Sequence, residues 1–370
     1  MDTDQFLSYG LMKNKKILLI LLTGFFFPLL LSGQSDNPSV RYANAYKQYL
    51  NAGCPLEKDS IKHFVYFARD REMIHNHPFL KVQRIAGAQI MYSWRQLEPE
   101  RDGYDFSIIR EDYNYLLSHG KKLFIQFQDV TFDLKYKAIP DYLMSVEFDG
   151  GCTPSINDNG IADGWVAKRW NAMVQHRFAI LMKKLGEEFD GKIEGINLQE
   201  SAVDINGKVD STFTPKRYAE SIKTNMLALK KAFPVSTTMQ YANFMPGEWL
   251  PWEDEGYLRS VYQYGQKIGV GLGGPDLMVR REGQLNHIIA MMHENKFTVP
   301  LGIAVQDGNY IGKTCADNDY EDNPGQGLHG HENIVPLLHA FAKDFLHVSY
   351  MFWSCQEPYF SKDLLPCLTK

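Results

Sequence analysis

From His63 onward the chain alternates short apolar runs with amphipathic stretches of helix length, and this rhythm constrains the fold more than any other feature. Eight runs read as strands: 63–68, 82–92, 122–128, 193–198, 236–241, 270–273, 299–305 and 347–352. Helical periodicity fills 106–119, 172–189, 215–233, 257–268, 285–295 and 332–345. Punctuation agrees with it: Asp105 stands as a cap, Gly120 as a stop, and Thr214–Pro215 open the third helix. Runs that are apolar throughout suit strands buried on both faces, and eight of them predict an α/β chain closed into one parallel (β/α)8 barrel. Its long loops should lie at the C-terminal face. A doubly wound sheet is the competing architecture, but no GxGxxG follows any strand.

The first 33 residues stand apart from that rhythm. Lys13, Lys15 and Lys16 precede an almost unbroken apolar stretch, Ile17–Leu31, and then small residues Ser32 and Gly33. That layout predicts a secretory signal peptide over 1–33, with Met12 as an alternative start, and a secreted or periplasmic protein that leaves the membrane once cleaved. Residues 34–62 form a polar lead and 63–370 the barrel. A formal charge of −5 gives no basic footprint for nucleic acid. The five cysteines, 54, 152, 315, 355 and 367, show no metal-ligand spacing, and in an oxidising compartment one or two disulfides are expected without a defined pairing. No cofactor and no metal is expected. His329 and His331, and the acidic runs around Asp158 and Asp317–Asp322, read as solvated loops.

Barrel chemistry sits where strands end at the C-terminal face. The fourth run stops in Asn197, Leu198, Gln199 and Glu200, and packing alone does not ask for a carboxylate there. All six tryptophans fall on the same rim, including Trp94, Trp249 and Trp353, which points to a groove of flat rings suited to sugars. Polar residues sharing that rim include Arg95, Asp129, Asn197, Gln199, Asn243, Asp276, Gln306 and Asp307. Glycosidic cleavage uses two carboxyl groups. Glu200 is the expected acid, raised in pKa by apolar walls, and Asp307 or Asp276 is the second group.

The segment Met91–Phe106, MYSWRQLEPERDGYDF, resembles the stretch after strand two of clan A glycoside hydrolases, and Leu198–Glu200 is similar to their Asn-Glu at the end of strand four. An aromatic closing strand eight, here Trp353, is also similar to theirs. The resemblance implies a retaining hydrolase of the cellulase and β-galactosidase kind, with Glu200 as acid/base and Trp353 on a subsite floor. The chain departs from that pattern at Gln199, where Asn is usual, and at Gln306, where the nucleophilic Glu would close strand seven. A carboxamide is no nucleophile. Three readings remain: Asp307 takes that role, the enzyme inverts with Asp307 or Asp276 as base, or the barrel binds sugar without cutting it. A metal-dependent hydrolase using the two loop histidines is a further alternative.

Overall fold

Residues 37–369 are described by a computed structural model, apart from 158, 206, 249–253, 307 and 313–332. The expected signal peptide, Trp249, Asp307, His329, His331, Asp158 and the 317–322 acidic run lie outside the described residues.

The barrel opens with β1 (Lys62–Tyr66), β2 (Ile85–Ser93) and β3 (Lys122–Gln128). Two turns of 3₁₀ helix, Arg71–Ile74 and Pro78–Lys81, join β1 to β2, and the helix Ser107–Ser118 joins β2 to β3. After β3 the expected loop of 130–170 contains a three-stranded antiparallel sheet: β4 (Val130–Thr131), β5 (Cys152–Ile156) and β6 (Ala162–Ala167). This corrects the sequence reading. In β5 the alternation of buried and half-buried positions is carried by Thr153 and Ser155, small polar side chains that hydropathy does not register. Five further strands complete the barrel: β7 (Gly195–Leu198), β8 (Thr237–Tyr241), β9 (Gly271–Gly274), β10 (Leu301–Val305) and β11 (Tyr350–Ser354). All eight barrel strands are parallel, in the order β1-β11-β10-β9-β8-β7-β3-β2, and the ring closes.

Strand period fixes which side chains enter the barrel. Phe64, Phe124, Met239, Tyr241, Ala304, Tyr350 and Phe352 form its interior cluster, separate from the larger core between barrel and helices. Glycines in β9 and β10 make room for it: a Cβ at Gly302 would lie 2.8 Å from the Met239 sulfur. At the N-terminal end Glu194 accepts hydrogen bonds from Lys62 (2.5 Å), Lys122 (2.6 Å) and the Tyr350 hydroxyl (2.8 Å). That network ties β1, β3 and β11 together at the floor, beneath the aromatic interior cluster.

The lead segment is fastened to this body. Cys54 and Cys367 form a disulfide, and Leu56 N–H bonds to the Cys367 carbonyl at 3.0 Å. Arg41 and Tyr42 both donate to Glu294 at 2.9 Å. Among the described residues no helix is long and apolar enough to cross a membrane.

Candidate active site

The inward parity of the strands continues past their ends and builds a cavity of about 230 Å³. Tyr66 ends β1 and Ala68 follows it, Met91 belongs to β2, Gln126 and Gln128 to β3, and Gln199 follows β7. Tyr241, Pro275 and Gln306 come from or after β8, β9 and β10. Arg69, Phe132, Asp133 and Glu200 complete the wall. Four of these groups are carboxamides. The Gln126 and Gln128 carbonyl oxygens are buried and accept no hydrogen bond among the described residues. A ligand rich in hydroxyl groups answers such acceptors.

Glu200 has a constructed setting. Asn243, at the end of β8, donates its amide to Glu200 Oε2 at 2.8 Å. Behind it, Arg169 donates to the Glu200 carbonyl at 2.9 Å and to the Tyr218 hydroxyl at 2.8 Å. The same guanidinium holds Asp129 through two bonds of 2.8 and 2.5 Å. Burial raises the Glu200 carboxyl to about 7, and the negative charge of Asp276 adds to the rise, while the Asn243 bond opposes it. A carboxyl at that value holds a proton near neutral pH and gives it up readily, which is what a general acid requires.

Asp276 follows β9, two strands from Glu200, with a left-handed backbone at φ 66°. Its Oδ1 accepts from Asn309 Nδ2 at 3.0 Å, and burial raises its carboxyl. Successive strand ends thus carry acid, amide, acid, amide: Glu200, Asn243, Asp276 and Asn309. Each acid is bonded by the amide of the strand that follows. Gln306 lies on the cavity wall, as its inward parity at the end of β10 requires, and its N–H bonds to Asn309 Oδ1 at 2.7 Å.

Other residues expected on the rim have different places. Trp94 is buried, packs on Phe127 and Phe178, and donates to Glu98 at 2.9 Å. Glu98 pairs with Arg177, which also bonds Asp102 at 2.9 Å, so the Met91–Phe106 stretch is a structural knot pinned to the helix Ala172–Phe189. Trp353 is buried too and donates to His63 Nδ1 at 3.1 Å. It stands beside Val65 and Val305 in the ladder, on the outer face of β11, whereas Phe352 points inward. A subsite floor is therefore not where Trp353 lies; parity by one residue decides it. Trp170 packs on Phe213 and Tyr218, and Trp165 lies under Lys137. None of the four described tryptophans lines the cavity, whose aromatic walls are Tyr66, Tyr241 and Phe132.

Arg95 staples a loop, bonding the Lys137 carbonyl at 2.9 Å and Asp141 at 2.6 Å. Asp129 is spent on Arg169. Asn197 points into the barrel beneath the cavity and accepts from Gln89 at 2.9 Å, and that same Gln89 amide donates to Tyr241 at 3.1 Å. Gln199 lines the cavity while its Oε1 receives the Asp129 and Val130 N–H groups at 2.9 and 2.8 Å. Sequence reasoning missed Gln126, Tyr66, Tyr241, Arg69 and Phe132. The first three obey inward parity on strands already recognised, so that signal was available; Arg69 and Phe132 lie on loops and carried none.

One cluster has the composition of a metal site: Asp59, His63 and His339. His339 Nε2 lies 2.7 Å from Asp59 Oδ2, and His63 is almost fully buried. The Trp353 N–H directed at His63 Nδ1 places the neutral ring's proton on Nε2, leaving that nitrogen no lone pair for a cation. Arg84 also bonds Asp59 at 3.3 Å. The cluster fits an ion-paired strut between the lead segment and the barrel's outer face.

The sequence matches no family profile and no curated protein. Its structure does have solved relatives. The catalytic domain of a β-amylase from Paenibacillus polymyxa superposes with a TM-score of 0.53 and 8% identity, covering 80% of this chain and 92% of that one. An endo-glycoceramidase II from Rhodococcus sp. gives 0.49 and 10%, over 82% and 76%. Xylanase XynB from Paenibacillus barcinonensis gives 0.47 and 14%, over 84% and 89%. The β-amylase likeness establishes a shared (β/α)8 barrel, and at that identity it speaks of fold alone. Among the described residues the chain forms a single closed barrel of this class, with an acid-bearing cavity at its open end.

Proposed function

We propose that this protein is a glycoside hydrolase acting on an oligosaccharide or polysaccharide, with Glu200 as general acid. The observation that carries the reading is a carboxyl held near 7 by burial and by Asp276, at the wall of a cavity lined by glutamines and tyrosines. Glu200 protonates the departing glycosidic oxygen; a second carboxyl, Asp276 or Asp307, acts as nucleophile or as base for water. The Gln126, Gln128, Gln199 and Gln306 amides suit ring hydroxyls, and Tyr66 and Tyr241 offer flat apolar faces. The fold shared with a β-amylase catalytic domain agrees with this chemistry. A secreted or periplasmic setting belongs to the same proposal, and the Cys54–Cys367 disulfide supports it.

The test is release of reducing ends from a glycan panel by the wild type and by Glu200→Gln. Loss of at least a hundredfold in kcat with the fold intact is expected; an unchanged rate on every cleaved glycan would refute the assignment. A second reading has its own observation, the Gln306 carboxamide on the cavity wall of β10. In it the barrel binds saccharide without cleaving it, so wild-type protein would bind a glycan and release no reducing ends over a long incubation.

A further inference from the structure

The cavity contains a cation with no acidic partner. Arg69 lines the wall shared with Glu200, and among the described residues it forms no hydrogen bond or ion pair with any carboxylate. Its guanidinium is nonetheless held: the carbon Cζ lies 4.9 Å from the centre of the Tyr136 ring, and the Tyr136 hydroxyl is 2.6 Å from Ser93 Oγ at the end of β2. Stacking on a ring fixes the plane of a guanidinium and leaves its edge N–H groups open. The preceding residue, Ala68, has φ 47°, a left-handed backbone that disfavours an alanine side chain and sets where Arg69 leaves β1. Lys135 and Lys137 extend the same loop as Phe132 and Asp133, and neither pairs with a carboxylate within 4.0 Å among the described residues. Three other arginines at this end of the barrel are committed to carboxylates: Arg95 to Asp141, Arg169 to Asp129, Arg177 to Glu98.

An open guanidinium edge beside a hydroxyl-recognising wall matches a planar or tetrahedral oxyanion, which it meets with paired N–H donors. We propose that the saccharide bound here carries an anionic substituent, a uronate carboxylate or a sulfate ester, and that Arg69 receives it. This rests on the glycosidase reading of the Glu200 site and names its substrate class.

Two matched pairs of probes test it: glucuronate-containing oligosaccharides with their carboxyl-reduced counterparts, and sulfated galactan oligosaccharides with their desulfated counterparts. Binding is measured by calorimetry and cleavage by reducing-end release, for wild type, Arg69→Ala and Arg69→Lys. The expected result is tighter binding of the charged member of one pair by at least about tenfold. Which pair shows it tells carboxylate from sulfate. Arg69→Ala should weaken KM or Kd for the charged member by at least about tenfold more than for the neutral one; Arg69→Lys should restore part of that difference, and added salt should narrow it. Equal loss on charged and neutral members, a wild-type preference for the neutral ones, or no binding of any of the four overturns the proposal. Preferential binding without cleavage would retain the Arg69 assignment and refute only hydrolysis; cleavage without charge preference would do the reverse.

Discussion

Glu200→Gln offers a test of the site that needs no substrate. In the unfolded chain the Glu200 carboxyl titrates near 4.5, and in the folded protein near 7. Below pH 4.5 both states hold the proton, so wild type and variant should differ only through small packing terms. Between pH 4.5 and 7 the unfolded state has lost the proton while the native state retains it. The native state then binds more protons, and wild-type stability falls as pH rises. Above pH 7 both are ionised, and the whole displacement, ~3 kcal/mol, stands against the folded wild type. The substituted carboxamide cannot ionise and escapes that cost, while it still fills the carboxyl's place beside Asn243. The variant should therefore match wild type at pH 4 and exceed it by about 3 kcal/mol at pH 9, or roughly 4 °C in Tm for a folded body of this size. Urea unfolding at both pH values, with Asp276→Asn as a control for the neighbouring acid, measures it. A difference that stays flat across pH 4–9, or wild type gaining on the variant as pH rises, would refute the claim that Glu200 is held in a desolvated cavity.

Asn243→Ala removes a side-chain hydrogen bond that opposes the rise of the Glu200 carboxyl. The alkaline limb of the pH–rate profile should move above 7 and kcat should fall about tenfold, as an acid with a wandering carboxyl transfers its proton less often. Trp353→Phe should destabilise the protein by about 1–3 kcal/mol through lost packing and the lost bond to His63. It should leave KM for any cleaved glycan within about twofold, and a rise in KM of tenfold or more would instead place Trp353 against the sugar.

The barrel was legible because its strands are hydrophobic on both faces and its helices on one. A run such as Lys122–Gln128 needs no partner to declare itself, and it begins and ends as the sequence reading places it. The same holds for the helices Ala172–Phe189 and Tyr257–Ile268, each with a clean apolar stripe. Boundaries shifted where stripes fade: the last strand runs from Tyr350 to Ser354 rather than over 347–352. That shift has a consequence. It leaves Trp353 inside the strand, where strict alternation turns it away from the cavity. The small sheet β4–β6 escaped notice because Thr and Ser carried its buried face.

Glu200 was recognisable because an acid at the end of an apolar strand has no packing reason to be there, and a single residue's chemistry stands out against such a run. Its partners were not recognisable in the same way. Asn243 and Arg169 lie 43 and 31 residues away, and nothing local marks which of many polar rim residues will face a given carboxyl. The tryptophans show the converse. Their place on the C-terminal side follows from sequence order, but whether each faces cavity or core depends on neighbours such as His63, Glu98 and Thr212. Periodicity along the chain therefore determined the fold and marked one acid as a candidate. Which polar groups meet across strands, how far burial shifts that acid, and the placing of a guanidinium on the same cavity wall were decided only by closure of the barrel, because those interactions are set by distances through space that no spacing in sequence encodes.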